Sequence, residues 1–364
     1  MLTLRQVRLA WILVLPTLLV VVLVAGYPLA QVFYWSFFKA DIAFVEPPEF
    51  VGLENYAYLF QDPDFRQALW NTLKFTVVSV SLETVLGLAI ALIIHSNFRG
   101  RGLVRTAILI PWAIPTVVSA KMWQWMLNDV YGVINVLGVK LGLLSQKVAF
   151  LARPELLLPS IIAVDVWKTT PFMALLLLAG LQMIPEELYE AASIDGASRW
   201  QQFWSITLPL LTPALVVALI FRTLDALRVF DVVFVMSGVN PATRTLAVYN
   251  RQTLVDFQDL GYGSAISVAI LVIIFAFGGF SALAWWRYTF QVLDDELVVT
   301  KGIVRVVRLN VPIERIQSIA IEQQLLHRLT GLVKVAVDTA GSNEAEFSID
   351  AVARPVAEEL QRRA

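Results

Sequence analysis

Residues 189–211 read YEAASIDGASRWQQFWSITLPLL, a run with acids, a glycine and glutamines set between long apolar stretches. The chain has 364 residues, of which 58% are hydrophobic and 16% charged, and its mean hydropathy is +0.69. That is too apolar for an ordinary soluble globule and places the chain in a bilayer, so the polar run needs a reason. Pro185 suits the first turn of a helix, with Glu186 and Glu187 near its positive end. Leu188, Ala191 and Ala192 then share a face. Gly196 suits the left-handed position that ends a helix, and Ser198 with Gln201 forms the S-x-x-Q pattern that starts another. Trp200, Phe203 and Trp204 give the second helix an apolar face, and Pro209 falls where the chain re-enters the membrane. The stretch therefore predicts a helix, a turn and a helix outside the bilayer.

Working outward, six stretches supply the roughly 20 apolar residues that a spanning helix needs. They lie at about 10–38, 69–94, 103–126, 156–183, 205–230 and 262–287. Arg5 and Arg8 precede the first span, and Arg99, Arg101 and Arg105 crowd the turn between the second and third. The segment 39–68 is acidic instead. Basic short loops favour the cytoplasm, so both termini and the 189–211 stretch are expected inside, in a multi-pass protein of the cytoplasmic (inner) membrane.

From Tyr288 the pattern changes. The last 77 residues carry 20 charged side chains against 37 in the preceding 287, about twice the density. Alternating pieces such as ELVVTKG, RIQSIAIEQ and LVKVAVDTAG read as short strands, and ARPVAEELQRRA as a terminal amphipathic helix. The expected fold class is an all-α polytopic membrane domain over residues 1–280, followed by a small mainly-β domain over 286–364 with a C-terminal helix. The chain has no cysteine, which excludes disulfides, thiolate metal sites and cysteine nucleophiles. A net charge of −1 with no basic stripe gives no footprint for nucleic acid. There is no G-x-x-x-x-G-K-[ST] phosphate cradle, no H-E-x-x-H zinc site and no G-x-S-x-G elbow. Neither an ATPase nor a hydrolase is expected, and no cofactor or metal.

Glu190-Ala191-Ala192, three residues, Gly196, nine residues and Ile206-Thr207-Leu208-Pro209 resemble the EAA motif of ATP-binding-cassette importer permeases. The resemblance, to the sugar type that includes maltose, trehalose and glycerol-phosphate permeases, extends over roughly residues 5–276. It implies that the loop at 185–209 couples the chain to an ATPase through Glu190, Ala191, Ala192, Asp195, Gly196, Ile206, Leu208 and Pro209. It also implies a second permease subunit, two ATPase subunits that bind the ATP, an extracytoplasmic solute-binding protein and a sugar substrate. VPIERIQS at 311–318 and LLHRLTG at 325–331 resemble a bacterial PH-like domain found after transmembrane helices. Its role is open between regulation, lipid or protein binding and a passive fusion. The alternative to a permease is a membrane-anchored scaffold whose PH-like tail is the working part.

Ionisable residues within spans are default candidates for function. Asp165, Lys168, Thr169 and Phe172 share one face of the fourth span, and Arg222, Asp225, Ala226 and Val229 repeat the spacing on the fifth. The two stripes are candidate sugar contacts, with charged hydrogen bonds for hydroxyls and the Phe172 ring for a sugar face. Sugar permeases more often carry amides and aromatics there. Pairing of Asp165 with Lys168 and of Arg222 with Asp225, or a gating role, is the alternative. Glu83 reads as a partner for a basic residue; Trp11, Trp35, Trp70, Trp123 and Trp125 read as interfacial anchors, and His95 and His327 as solvated.

Overall fold

The computed structural model describes residues 4–286 and six strands between 289 and 353, with side chains described from 11 to 277. The chain divides into two compact units, residues 24–274 and residues 1–23 with 275–364. Of the expected terminal helix at 353–364, Ala353 ends a strand and 354–364 lie outside the described residues.

The helical region begins with α1 (Leu4–Val21), a π-helical turn (Val22–Gly26) and α2 (Tyr27–Trp35). Pro28 cannot donate to the residue four back, and the π turn falls just before it. A two-stranded ribbon, β1 (Phe38–Lys39) with β2 (Glu49–Phe50), and α3 (Glu54–Gln61) lead to α4 (Pro63–His95). Helix α4 starts at Asp62, whose carboxylate accepts the Asp64 N–H at 2.9 Å, with Pro63 in the first turn. Its 33 residues make a rod of about 50 Å, longer than the roughly 30 Å hydrocarbon core.

Next come α5 (Arg101–Ala113), α6 (Thr116–Met126), α7 (Val133–Lys140) and α8 (Pro154–Leu181). Helices α4 and α8 form the core contact, with Ala91, Ile94, Met173, Leu177 and Leu181 buried between them and α11. The seam is tight: a Cβ on Gly87 would lie 2.6 Å from Met173 Cγ and 3.2 Å from the Ala174 nitrogen. Gly87→Leu is therefore expected to destabilise the protein by about 1–3 kcal/mol through overpacking. Thermal unfolding of the purified protein checks this, and an unchanged midpoint would show that the seam yields to the added side chain.

After α8 follow α9 (Glu186–Ile194), α10 (Arg199–Gln202), a π turn (Phe203–Thr207) and α11 (Leu208–Leu227). The chain continues with α12 (Asp231–Ser237), α13 (Leu246–Arg251), a π turn (Gln252–Asp256) and α14 (Leu260–Trp286), of which the part to residue 274 belongs to the unit 24–274. Side chains clasp the 240–262 segment to the start of α4. Asn71 donates to the Pro241 and Arg244 carbonyls, and Tyr249 and Tyr262 both donate to the buried Asp62 carboxylate at 2.5 Å. Burial first, then that carboxylate, holds the Tyr249 phenol well above its ordinary range.

Among the described residues five helical stretches are long and apolar enough to cross a membrane, or six if a bent pair is one span. That pair corrects the expected straight span at 103–126: α5 and α6 meet at 91° across Ile114 and Pro115. Carbonyls at the end of α5 lose helical partners at such a break, and Lys168 of α8 replaces them, donating to Ile114 O at 2.7 Å and Trp112 O at 3.3 Å. The fifth span also differs, since its helix starts at Arg199 and runs on through the π turn to Leu227.

In the other unit, β3 (Thr289–Val292), β4 (Glu296–Lys301) and β5 (Val307–Pro312) form one antiparallel sheet. β6 (Ile316–Glu322), β7 (Leu332–Thr339) and β8 (Phe347–Ala353) form another.

Candidate functional site

The polar loop folds as its local chemistry dictates. Helix α9 ends in a paired cap: Ala197 N–H reaches Ala192 O at 2.9 Å and Gly196 N–H reaches Ser193 O at 3.1 Å. Gly196 makes that turn with φ of +80°, a conformation only glycine adopts without strain. Ser198 and Gln201 close the expected capping box, the Gln201 N–H donating to Ser198 Oγ and the Ser198 N–H to Gln201 Oε1. The Gln202 amide donates to Ser193 Oγ and Ala197 O, and the Tyr189 and Thr207 hydroxyls meet at 3.0 Å, pinning α9 against α10.

Glu190, Ala191, Asp195 and Gly196 are exposed on this knob, and Ala192 and Leu208 are half-buried. Ile206 packs against the α8–α11 core, while Pro209 is exposed. Before Pro209, which has no N–H, the π turn lets the Leu208 N–H reach Phe203 O. Ile194 is 87% exposed, Trp200 69% and Trp204 52%. Apolar side chains this bare on a polar knob mark a surface built to be covered.

The two stripes meet in the unit's interior. A cavity of about 260 Å³ is lined by Asp165, Lys168 and Thr169 of α8, by Arg222 and Asp225 of α11, and by Val229, with Thr116, Arg228, Phe230, Asp231 and Val232. The Arg222 guanidinium organises it. It donates to both Glu83 oxygens, one at 2.9 Å, to Asp165, and to Asp225 at 2.8 Å. Thr169 Oγ1 adds a bond to Glu83 at 2.7 Å. One cation therefore joins α4, α8 and α11. The side chains of Arg222, Glu83 and Asp165 are buried, whereas that of Asp225 is 58% exposed and opens toward solvent. The fork of guanidinium donors suits this many partners; an ammonium would not.

Of the expected residues, Asp165, Lys168, Thr169, Arg222, Asp225 and Val229 come together here. Phe172 does not line the cavity; its ring stacks on Trp112 at 5.7 Å. Ala226 is fully buried in the apolar core. Among the described residues Asp165 pairs with Arg222 and not with Lys168, while the Arg222–Asp225 pair within α11 does form. Glu83 finds its basic partner in Arg222 and joins the site, a membership that its being the lone acid of the second apolar run could have signalled. Arg228 and Asp231 were missed because they follow the stripe's last turn.

Apolar spans, an exposed capped knob and a charged cavity fit a transport permease. The model for "Binding-protein-dependent transport system inner membrane component" matches residues 83–288, and the chain belongs to that family. A second model, "Bacterial PH domain", matches residues 214–364. The chain is 46% identical to the trehalose/maltose transport system permease protein of Thermococcus litoralis over 75% of this chain and 92% of that one. It is 41% identical to the sulfoquinovosyl glycerol transport system permease protein of Agrobacterium fabrum, over 73% and 86% of the two chains. The trehalose transport system permease protein of Mycobacterium tuberculosis is 42% identical over 72% and 84%. Among solved structures, a bacterial ABC transporter involved in the import of the acidic polysaccharide alginate matches with a TM-score of 0.66 and 26% identity, covering 76% of this chain and 96% of that one. The chain is a permease and not an enzyme.

Proposed function

We propose that the chain is the subunit of an ATP-driven importer that passes a sugar or oligosaccharide through the membrane by alternating access. The observation that carries this reading is the pairing of the Gly196 knob at one end of the spans with the Arg222 cavity between them. Around the knob, Glu190, Ala191, Ala192, Asp195, Gly196, Ile206, Leu208 and Pro209 transmit closure of an ATPase pair. In the cavity, Asp165, Thr169, Arg222 and Asp225 hold hydroxyls, and Lys168 supports the α5–α6 break. A second permease subunit, two ATPase subunits and an extracytoplasmic binding protein complete the machine. Relatives named for trehalose and maltose support the sugar class.

Orientation follows from charge. Arg101 and Arg105 lie just beyond α4, and Arg105 donates to Ile94 O at 3.0 Å. Ile94 packs with Leu181, which precedes the knob. The basic turn and the knob thus share one end, which the charge rule assigns to the cytoplasm. Both termini are then cytoplasmic, with residues 1–280 as the permease domain and 286–364 as a mainly-β PH-like domain closed by a C-terminal helix.

The test is reconstitution with the three kinds of partner and measurement of ATP-dependent uptake of labelled trehalose and maltose into vesicles. Accumulation no greater than without ATP, for both sugars, overturns the reading. Asp225→Asn keeps the side-chain shape but removes the exposed cavity charge. It is expected to raise the half-saturating sugar concentration by about tenfold, the loss of one hydrogen bond to a charged group.

A further inference from the structure

A second cleft, which shares no lining residue with the Arg222 cavity, is built between the end of α6 and the start of α8. It has a volume of about 360 Å³, within the roughly 300–1,000 Å³ of small-molecule sites. Leu127 and Leu151 give it an apolar floor, and Trp125 and Tyr131 stand at its edge, 69% and 64% exposed. Its polar side chains are Gln124, whose amide is already bonded to Lys121 Nζ and Met236 O, and Asn128 and Asp129. Among the described residues the Asp129 carboxylate, the Asn128 Nδ2, the Trp125 indole N–H and the Tyr131 hydroxyl have no hydrogen-bond partner.

The frame behind these free groups is fixed. Asn128 Oδ1 accepts the Val130 and Tyr131 N–H groups at 2.8 and 3.2 Å, which sets the turn. Asn135, fully buried, donates to Asn128 O and Val148 O and accepts from the Val148 N–H, tying the two loops together. A rigid cleft with bare aromatic faces, one carboxylate and one unpartnered amide N–H suits a pyranose ring, whose apolar C–H faces can lie on the aromatic rings and whose hydroxyls can donate to Asp129 and accept from Asn128. Asp129 is the charged side chain of the lining, and the nearby Lys121 and Lys147 ammonium groups donate to Gln124 and to Val130 O, so the free carboxylate selects against an anionic sugar.

We infer that this cleft is a second carbohydrate site, taking a neutral pyranoside. It rests on the sugar-import reading for the class of ligand. Helix α8 begins just after the cleft and runs 28 residues to Leu181 and the knob, about 42 Å. The cleft therefore lies at the end opposite the ATPase-facing knob, where an imported sugar arrives.

The experiment uses the assembled importer without its binding protein and reads equilibrium binding of labelled maltose. Two classes of site are expected. Trp125→Ala and Asp129→Asn each weaken one class by about tenfold, and Asp225→Asn weakens the other. A maltose analogue carrying a carboxylate in place of a hydroxymethyl competes poorly at the first class. Trp125 at a span end can also anchor in the interface; reduced assembly with unchanged affinity would assign it that role and overturn the cleft. Asp129 sits on an exposed turn, so Asp129→Asn decides where Trp125→Ala fails to assemble. A single class untouched by either change overturns the inference and leaves import standing. Failure of the wild-type importer to accumulate sugar overturns the import reading itself.

Discussion

Gly196→Pro is expected to cut sugar-dependent ATP hydrolysis and uptake to below about a tenth of wild type. The φ of Gly196 is +80°, whereas proline is locked near −65°. Proline also removes the N–H that donates to Ser193 O. The turn between α9 and α10 then has to open, at a cost of order 3 kcal/mol, about two factors of ten in the population of the folded knob. Gly196→Ala grades the effect, because a left-handed alanine costs about 1–2 kcal/mol. Its coupling should fall between wild type and proline. Since the knob projects away from the span core, the membrane helices should still assemble, which blue native electrophoresis of the complex checks. Wild-type uptake by Gly196→Pro in an assembled complex would mean that closure reaches the spans by another route.

The knob was legible because its determinants are local. A capping box spans Ser198 to Gln201 and a left-handed turn needs one glycine, so residue types at short spacing suffice. The stripes were legible only as chemistry. Lys168 stands three residues from Asp165, the spacing of an ion pair, yet its ammonium serves the carbonyls at the break between α5 and α6. Nothing local in α8 announces that break. Pro111 and Pro115 marked the third span as interruptible, but a proline is compatible with a kink or a full turn, and tertiary partners choose between them. Likewise Glu83 lies 139 residues from Arg222, and their meeting depends on how α4, α8 and α11 pack. The short helices α12 and α13 escaped notice because six or seven residues are too few for a periodic signal.

Arg222→Met should impair folding and assembly most of all. It strands Glu83 and Asp165 in the α4–α8–α11 junction, where their side chains are 0% and 7% exposed. Breaking a buried pair by removing one partner costs about 3–5 kcal/mol, a large part of the roughly 5–15 kcal/mol that holds a protein folded. Arg222→Lys should rescue in part: the charge remains, but one ammonium cannot reproduce the guanidinium's contacts with three carboxylates. The informative variant removes the charges together. Arg222→Met with Glu83→Gln and Asp165→Asn leaves no unpaired ion, and neutral replacement of buried ionic groups is often tolerated. Assembly and thermal stability should therefore return toward wild type. Uptake should not, because Asp225 would face the cavity without the guanidinium that holds it in place. The split between recovered assembly and lost transport separates the two roles of the cluster. A cluster that serves only to join three helices would recover both, and transport by the triple variant at the wild-type rate would remove Arg222 and Asp165 from the sugar path. Because a single guanidinium ties α4, α8 and α11, these helices are expected to move as one body, with the flexing left to the broken pair α5 and α6. Cross-linking cysteines introduced across the α4–α8 seam should then leave uptake intact, whereas a cross-link fixing α5 to α6 should stop it.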